Sequence, residues 1–364
     1  MRFLSEYAER KSRHNHPTQP TESELAENMG RAKSIAVVGA TGAVGLEMME
    51  TLEKRNFPVS SIKLLASARS AGKKLKFKGE EITVEELTKD SFKGIDIALF
   101  SAGGSTSEAY AKICVDSGAV MIDNSSAFRM LDNVPLVIPE INAEDVFKHQ
   151  GIIANPNCTT AIMAVAVYPL HKAKKVRRLV AATYQAASGG GAKAMQELID
   201  QTRAVLEGRP FEVKYMAQRL AFNLFPHIDV FKDNGYTKEE MKMVWETRKI
   251  MHAPEIQISC TSVRVPVLRA HSESLNLEFE NEITPEEARA IIAKAPGVEL
   301  CDNPAEKIYP MPINATNKYD VLVGRIRQDI SRTDKRGLEM FVSGDQLLKG
   351  AALNAVQIAE VLNR

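Results

Sequence analysis

From Ser34 onward, short and almost unbroken apolar runs alternate with longer stretches in which apolar residues recur every three or four positions. "SIAVVGA" predicts a strand ending in a glycine turn, and "VGLEMMETLEKRNFP" predicts a helix closed by Pro58. "IKLLAS", "IDIALFSAG", "AVMIDNSS", "PLVIPE" and "GIIANP" follow as further strands. Runs of Val, Ile, Leu and Ala between helices mark a parallel sheet covered on both faces, so the first part is expected to be a doubly wound, Rossmann-like α/β domain. After Cys158 the runs lengthen and alternate only in part: "RRLVAATYQAAS", "EIQISCTSVRVPV", "ESLNLEFE", "VLVGRIRQD". They predict an α+β domain with an antiparallel or mixed sheet, one face on helices. The last stretch, "GDQLLKGAALNAVQIAEVL", predicts a helix with Leu347, Leu348, Ala351, Ala352, Ala355, Ala359 and Leu362 near one face. Such a stripe must dock, and the first domain is the plausible receiver.

Composition narrows the picture. A length of 364 residues with 44% apolar content suits two domains. The 47 basic and 46 acidic residues form no basic stripe, so nucleic acid is not an expected partner. Cys114, Cys158, Cys260 and Cys301 are far apart with no CxxC pair. A disulfide framework or a metal site is therefore not expected, and a reducing, cytoplasmic setting is. No apolar run approaches the length of a membrane span. Residues 1–33 are polar and lack the apolar core of a secretory signal; they are expected to form a flexible extension or a short helical arm.

"GATGAVG" places Gly39, Gly42 and Gly45 three apart, after a strand and opening a helix. Backbone N–H groups at such a helix start can receive a pyrophosphate, although the spacing is looser than G-x-G-x-x-G, and a ligand-free turn is the alternative. An NAD site would want an acidic residue at the end of the second strand. Here that strand runs into "LLASARSAGKKLKFKG", with Ser67, Arg69 and Ser70 at its end. A cation and hydroxyls suit the 2′-phosphate of NADP; the other possibility is a solvated basic loop containing Lys73, Lys74, Lys76 and Lys78.

"NPNCTT" puts Cys158 at the start of a helix, where the backbone dipole is expected to lower a thiol pKa. Asn157 can cap that helix or polarise a carbonyl. Cys114, inside "AYAKICVDSG", has the pattern of a buried structural cysteine. A nucleophilic thiol needs a proton partner, and His271, in "SVRVPVLRAHSESLNLEF", is the best placed of seven histidines. Strand parity puts Arg264 and His271 on opposite faces, so "PVLRA" must break the strand if both serve one site.

Taken together, the chain resembles aspartate-semialdehyde dehydrogenases, in the branch found in many Gram-positive bacteria. The likeness is carried, in order, by "AVVGATGAVG", "ASARSAGKKLKFKG", "LFSAGGSTS", "DNSSAFRM", "VPLVIPEIN", "GIIANPNCTT", "YQAASGGG", "EEMKMVWETRKIM", "RVPVLRAHSES" and "VSGDQLLKGAALNAVQIAE", and covers nearly all of 34–364. It departs at 188–191, "SGGG", where relatives often carry a bulkier residue.

The resemblance implies reduction of L-aspartyl 4-phosphate to L-aspartate 4-semialdehyde with NADPH, in lysine, threonine, methionine and diaminopimelate synthesis. It implies Cys158 as nucleophile forming a thioacyl enzyme, His271 as acid/base, and Gln185 orienting the substrate beside Asn157. Gln185 can hydrogen-bond but not ionise at neutral pH, which suits orientation. Arg264 would hold the α-carboxylate, Arg129 and Lys242 the phosphate, and Glu239 the amine. Thr41, Gly42, Ala43, Val44, Arg69, Ser70, Ser188, Gly189 and Gln346 match cofactor contacts. A homodimer is implied, with domains at 34–157 plus 345–364 (NADP-binding) and 158–344 (catalytic and dimerisation). Thr237 and Glu240 fit a capping box; Met241, Val244 and Trp245 are expected on the apolar face of that helix, and Glu239 with Lys242 on another. A reductase of N-acetyl-glutamyl phosphate and a silent NADP-binding protein are the competing readings.

Overall fold

The computed structural model describes residues 30–364, so the expected extension at 1–33 lies almost wholly outside the described residues. The first sheet comprises β1 (Lys33–Val38), β2 (Val59–Ala66), β3 (Lys74–Phe77), β4 (Glu80–Glu86), β5 (Ile97–Phe100), β6 (Val120–Asp123) and β7 (Ile152–Ala154), in the order β3-β4-β2-β1-β5-β6-β7. All neighbours are parallel except β3 and β4. Alternate residues of β1 explain the two covered faces. Ile35 and Val37 pack with Met48 and Leu52 of helix α1 (Ala43–Lys54), and Ala36 and Val38 share a cluster with Ala111 and Cys114 of helix α2 (Gly104–Asp116).

One expectation and one alternative fail here. "PLVIPE" is not a strand: Leu136 makes a single bridge to Ala154, and Pro139 then opens a short helix at Pro139–Asn142. Its two prolines remove two ladder donors. The basic stretch after Ser70 is not a loop but the β3–β4 hairpin, in which Lys74 and Lys76 face solvent while Leu75 and Phe77 turn inward.

The second sheet is mixed, in the order β11-β12-β13-β10-β8-β9. Its strands are β8 (Val176–Gln185), β9 (Gln257–Arg264), β10 (His271–Phe279), β11 (Val298–Leu300), β12 (Val321–Gln328) and β13 (Gly337–Gly344). Helix α3 (Cys158–Lys174) covers the centre: its Ile162, Met163 and Val165 share one core with Leu275, Leu277 and Val342. Helices α4 (Ala192–Leu206), α5 (Lys238–Ile250) and α6 (Pro285–Ile292) complete this part.

The final segment returns to the first sheet, as its stripe required. Helix α7 (Leu353–Leu362) contributes Val356, Ile358 and Ala359 to the core that holds Met48, Leu52 and Phe57. It does not run unbroken from Gly344: a wider π turn at Leu348–Ala352 precedes it. Gln346 lies just ahead of that turn, and the segment is buried nearly all round rather than along one stripe. Even Lys349 is buried, its ammonium held by Glu140, Asn354 and Gln357.

Candidate active site

Two strand-to-helix seams meet at the site. At the first, β1 ends in Gly39, whose φ of +85° favours glycine and whose added Cβ would lie 2.3 Å from the Ser101 carbonyl oxygen. A Cβ on Gly45 would lie 2.3 Å from the Gly39 carbonyl oxygen, so α1 can approach the strand end only without one. Gly42 caps α1 with no side-chain bond, which leaves the first N–H groups open to an anion. Thr41 Oγ1 donates to Ser70 Oγ at 3.4 Å, linking the glycine turn to the end of β2, where Arg69 is exposed.

At the second seam the helix start is filled. Asn157 Oδ1 accepts from the N–H groups of Thr159 and Thr160, both at 3.1 Å, as the sequence suggested. Asn157 is held in turn: Nδ2 donates to Glu239 Oε1 at 2.9 Å, and its backbone N–H donates to Glu246 Oε2 at 2.6 Å. Cys158 follows, with Sγ 3.6 Å from His271 Nε2. Gly350 of the π turn packs directly on it; a Cβ there would lie 2.7 Å from that of Cys158.

The required strand break is present, since β9 ends at Arg264 and β10 begins at His271. Both side chains converge on the backbone of one residue, Ala186. Ala186 donates its N–H to His271 Nδ1 at 3.0 Å, and its carbonyl accepts from Arg264 Nη1 at 2.6 Å. That bond fixes the imidazole tautomer: Nδ1 accepts, so the ring proton sits on Nε2, facing sulfur. Burial, with the Arg264 cation beside it, pushes the His271 pKa down to about 3, so the ring is neutral at neutral pH. Gly189 must be bare, because a Cβ would come within 2.9 Å of Arg264 Nη1 and 3.2 Å of His271.

The Cys158 thiol contradicts the expectation of a lowered pKa. Burial, with the Glu239 carboxylate next, pushes it up to about 11, against opposing pulls from Thr159, Arg129 and Lys242. Glu239 itself resists burial: Lys242 and the amides of Asn157 and Gln185 hold it at about 2.

Helix α5 supplies most of these partners, and its inward face is not the one expected. The capping box forms, with Glu240 N–H on Thr237 Oγ1 at 3.3 Å and Thr237 N–H on Glu240 Oε2 at 2.7 Å. Met243, Val244, Thr247 and Ile250 point inward with Glu239, Glu240 and Glu246, while Met241 and Trp245 are only half-buried. The Glu239–Lys242 pair at 3.0 Å is therefore a buried element rather than a solvated one, and Asp229 binds the same ammonium at 2.8 Å. Gln185 Nε2 donates to Glu239 Oε1 at 3.2 Å, and Thr183 Oγ1 donates to Gln185 Oε1 at 3.0 Å. Arg129 is buried against Glu246 at 3.0 Å and also donates to the carbonyls of Asn124 and Asn155.

A cavity of about 420 Å³ joins these groups, lined by Val44, Ser188, Gly189 and Gln346 towards the glycine turn and by Arg129, Asp229, Glu239, Lys242 and Arg264 around Cys158. Thr41, Gly42, Ala43, Arg69 and Ser70 lie outside this lining. Gln346 is committed to protein partners, donating to Ser188 Oγ and accepting from the Ala270 N–H at 2.9 Å. Sequence reasoning missed Glu246, Ala186 and Asp229. Only the helical spacing of Glu239 and Glu246, seven apart and so on one face, could have pointed to the first.

Residues 34–149 match the family described as semialdehyde dehydrogenase, NAD binding domain, and residues 167–349 match semialdehyde dehydrogenase, dimerisation domain. The chain is 57% identical to the aspartate-semialdehyde dehydrogenase of Synechocystis sp., over 90% of this chain and 96% of that one. It is 51% identical to that of Bacillus subtilis, over 92% and 99%. Among solved structures, aspartate semialdehyde dehydrogenase II of Vibrio cholerae, complexed with ASA, superposes with a TM-score of 0.89 at 44% identity, covering 91% of this chain and 98% of that one.

Proposed function

The chain belongs to the aspartate-semialdehyde dehydrogenase family of oxidoreductases, and from that premise we propose how its own residues perform the reduction of L-aspartyl 4-phosphate to the semialdehyde. The observation that carries the proposal is the 3.6 Å approach of the buried His271 Nε2 to the Sγ of Cys158, which lines one cavity with Arg129, Lys242 and Arg264. Arg264 takes the α-carboxylate, Glu239 the amine, and Arg129 with Lys242 the phosphate. Cys158 rests as a thiol. As sulfur bonds to the acyl carbon and the C–O bond to phosphate breaks, the thiol proton departs with the phosphate. His271, with its proton on Nε2, donates a hydrogen bond to sulfur as negative charge grows there. Asn157 and Gln185, tied to one oxygen of Glu239, keep the thioester in place.

NADPH, when bound, supplies hydride to the thioester carbon. The open N–H groups after Gly42 and the bare glycines at 39 and 45 suit its pyrophosphate, as Arg69 and Ser70, with no carboxylate at the strand end, suit the 2′-phosphate. Thr41, Ala43, Val44, Ser188, Gly189 and Gln346 complete the proposed cradle. Collapse of the reduced adduct would release the aldehyde, with the Cys158 sulfur as leaving group regaining from solvent the proton that makes it a thiol again. In this scheme His271 serves sulfur through its Nε2–H hydrogen bond and keeps its proton, a narrower role than the acid/base one implied by resemblance.

We assign 34–157 with 345–364 to cofactor binding and 158–344 to catalysis and to a homodimer contact, which the dimerisation-domain match supports. Cysteine usage supports a cytoplasmic setting, and among the described residues no helix is long and apolar enough to cross a membrane. The motifs quoted above support the branch found in many Gram-positive bacteria, which here stands beside a cyanobacterial relative.

The test follows NADPH formation from aspartate semialdehyde, NADP and phosphate, for the natural protein and for Cys158→Ala. Phosphate-dependent formation that disappears in a variant still able to bind NADPH is the expected result. No formation by folded natural protein would overturn the assigned reaction.

A further inference from the structure

Lys242 carries three N–H donors, and two of them are already taken. Glu239 Oε2 holds one at 3.0 Å and Asp229 Oδ2 the other at 2.8 Å. The two carboxylates are not equivalent. Glu239 is 7% exposed and its other oxygen is tied to Asn157 and Gln185, so it cannot move without dismantling the site. Asp229 is 29% exposed, sits on an irregular segment, and otherwise binds only the neighbouring Val230 N–H through Oδ1. It lines the same cavity as Cys158 and Arg129.

We propose that Asp229 is a specificity-determining residue that competes with the phosphoryl group for Lys242. This rests on the assignment of Lys242 as a phosphate ligand. In the free site Asp229 half-neutralises the ammonium. An incoming phosphate displaces the Asp229 carboxylate, and the carboxylate returns when phosphate leaves. Asp229 thereby weakens retention of a product that two cations would otherwise hold tightly, while Glu239 keeps the lysine in place throughout.

The probe is inorganic phosphate. Two variants suit the +67° φ at this position: Asp229→Asn, which keeps the bond to Val230 and tolerates the left-handed region, and Asp229→Gly, which has no Cβ to strain. Two readouts are taken: the KM for phosphate in semialdehyde oxidation, and phosphate protection of Cys158 against iodoacetamide with no turnover. Loss of a partly exposed ion pair predicts phosphate constants about three- to tenfold lower in both variants, with the KM for aspartate semialdehyde little changed. A merely structural role for Asp229 would raise the constants or lower kcat alone. Unchanged or weaker phosphate binding in folded variants overturns the proposal, as does absence of protection in every form. If the natural protein fails to turn over but phosphate protects Cys158 and does so better in the variants, the competition stands and the assigned substrate falls.

Discussion

The two strand-to-helix seams share a plan and differ in what fills the helix start. After β1 the seam is bare: glycines at 39, 42 and 45, no side-chain cap, and N–H groups open. After β7 the seam is crowded, with Asn157 capping α3 and itself gripped by two glutamates from α5. An open helix start receives an anion brought from outside. A filled one has spent its donors on the protein and works as a mount for the next side chain. This is why Cys158 gains a fixed position from its helix and not ionisation: burial and Glu239 outweigh what lowers its pKa.

The sharpest test of that difference is chemical. With a thiol pKa of about 11, alkylation of Cys158 in the free protein should climb about tenfold per pH unit between roughly pH 7 and 10, because only thiolate reacts. A rate that levels off near neutrality would mean that the helix start does activate the sulfur. Next in size is Asn157→Ala. Loss of the cap should cost about 1 kcal/mol in urea unfolding, while kcat falls about a hundredfold because Cys158 and Glu239 lose their common anchor. Equal small losses in both would reduce Asn157 to a plain cap. At the bare seam, Gly45→Ala should reverse the pattern, destabilising by about 2 kcal/mol and weakening NADPH binding more than turnover of bound substrate. Calorimetric melting and NADPH fluorescence titration read the two effects. The smallest change is expected from Arg69→Ala: NADPH binding weaker by about tenfold, NADH binding unaltered. Equal loss for both cofactors would remove Arg69 from the 2′-phosphate.

Much of this was legible in the chain. The glycine turn, the cap at Asn157, the capping box at Thr237 and the break between Arg264 and His271 all follow from local rules of backbone geometry and spacing. What was hidden depends on contacts between distant segments. An amphipathic reading of α5 alone sends its glutamates to solvent, because an isolated buried carboxylate is costly; resemblance drew Glu239 into the site but left Glu246 unseen. Glu239 and Glu246 are buried because Lys242, Arg129 and the Asn157 seam meet them there. Ala186 acts through its backbone N–H and carbonyl, which no side-chain motif reveals. The β3–β4 hairpin is masked by its charge: "KLKF" alternates with period two, but four lysines in six positions also fit a solvated loop.

The place of α7 has a consequence for how the molecule is made. A ribosome delivers β1 through β7 first, then the whole second sheet, and only afterwards the helix that completes the first core with Val356, Ile358 and Ala359. Through that interval the nascent first sheet has one apolar face short of its cover. Such a chain has reason to keep a chaperone close until its last turns emerge.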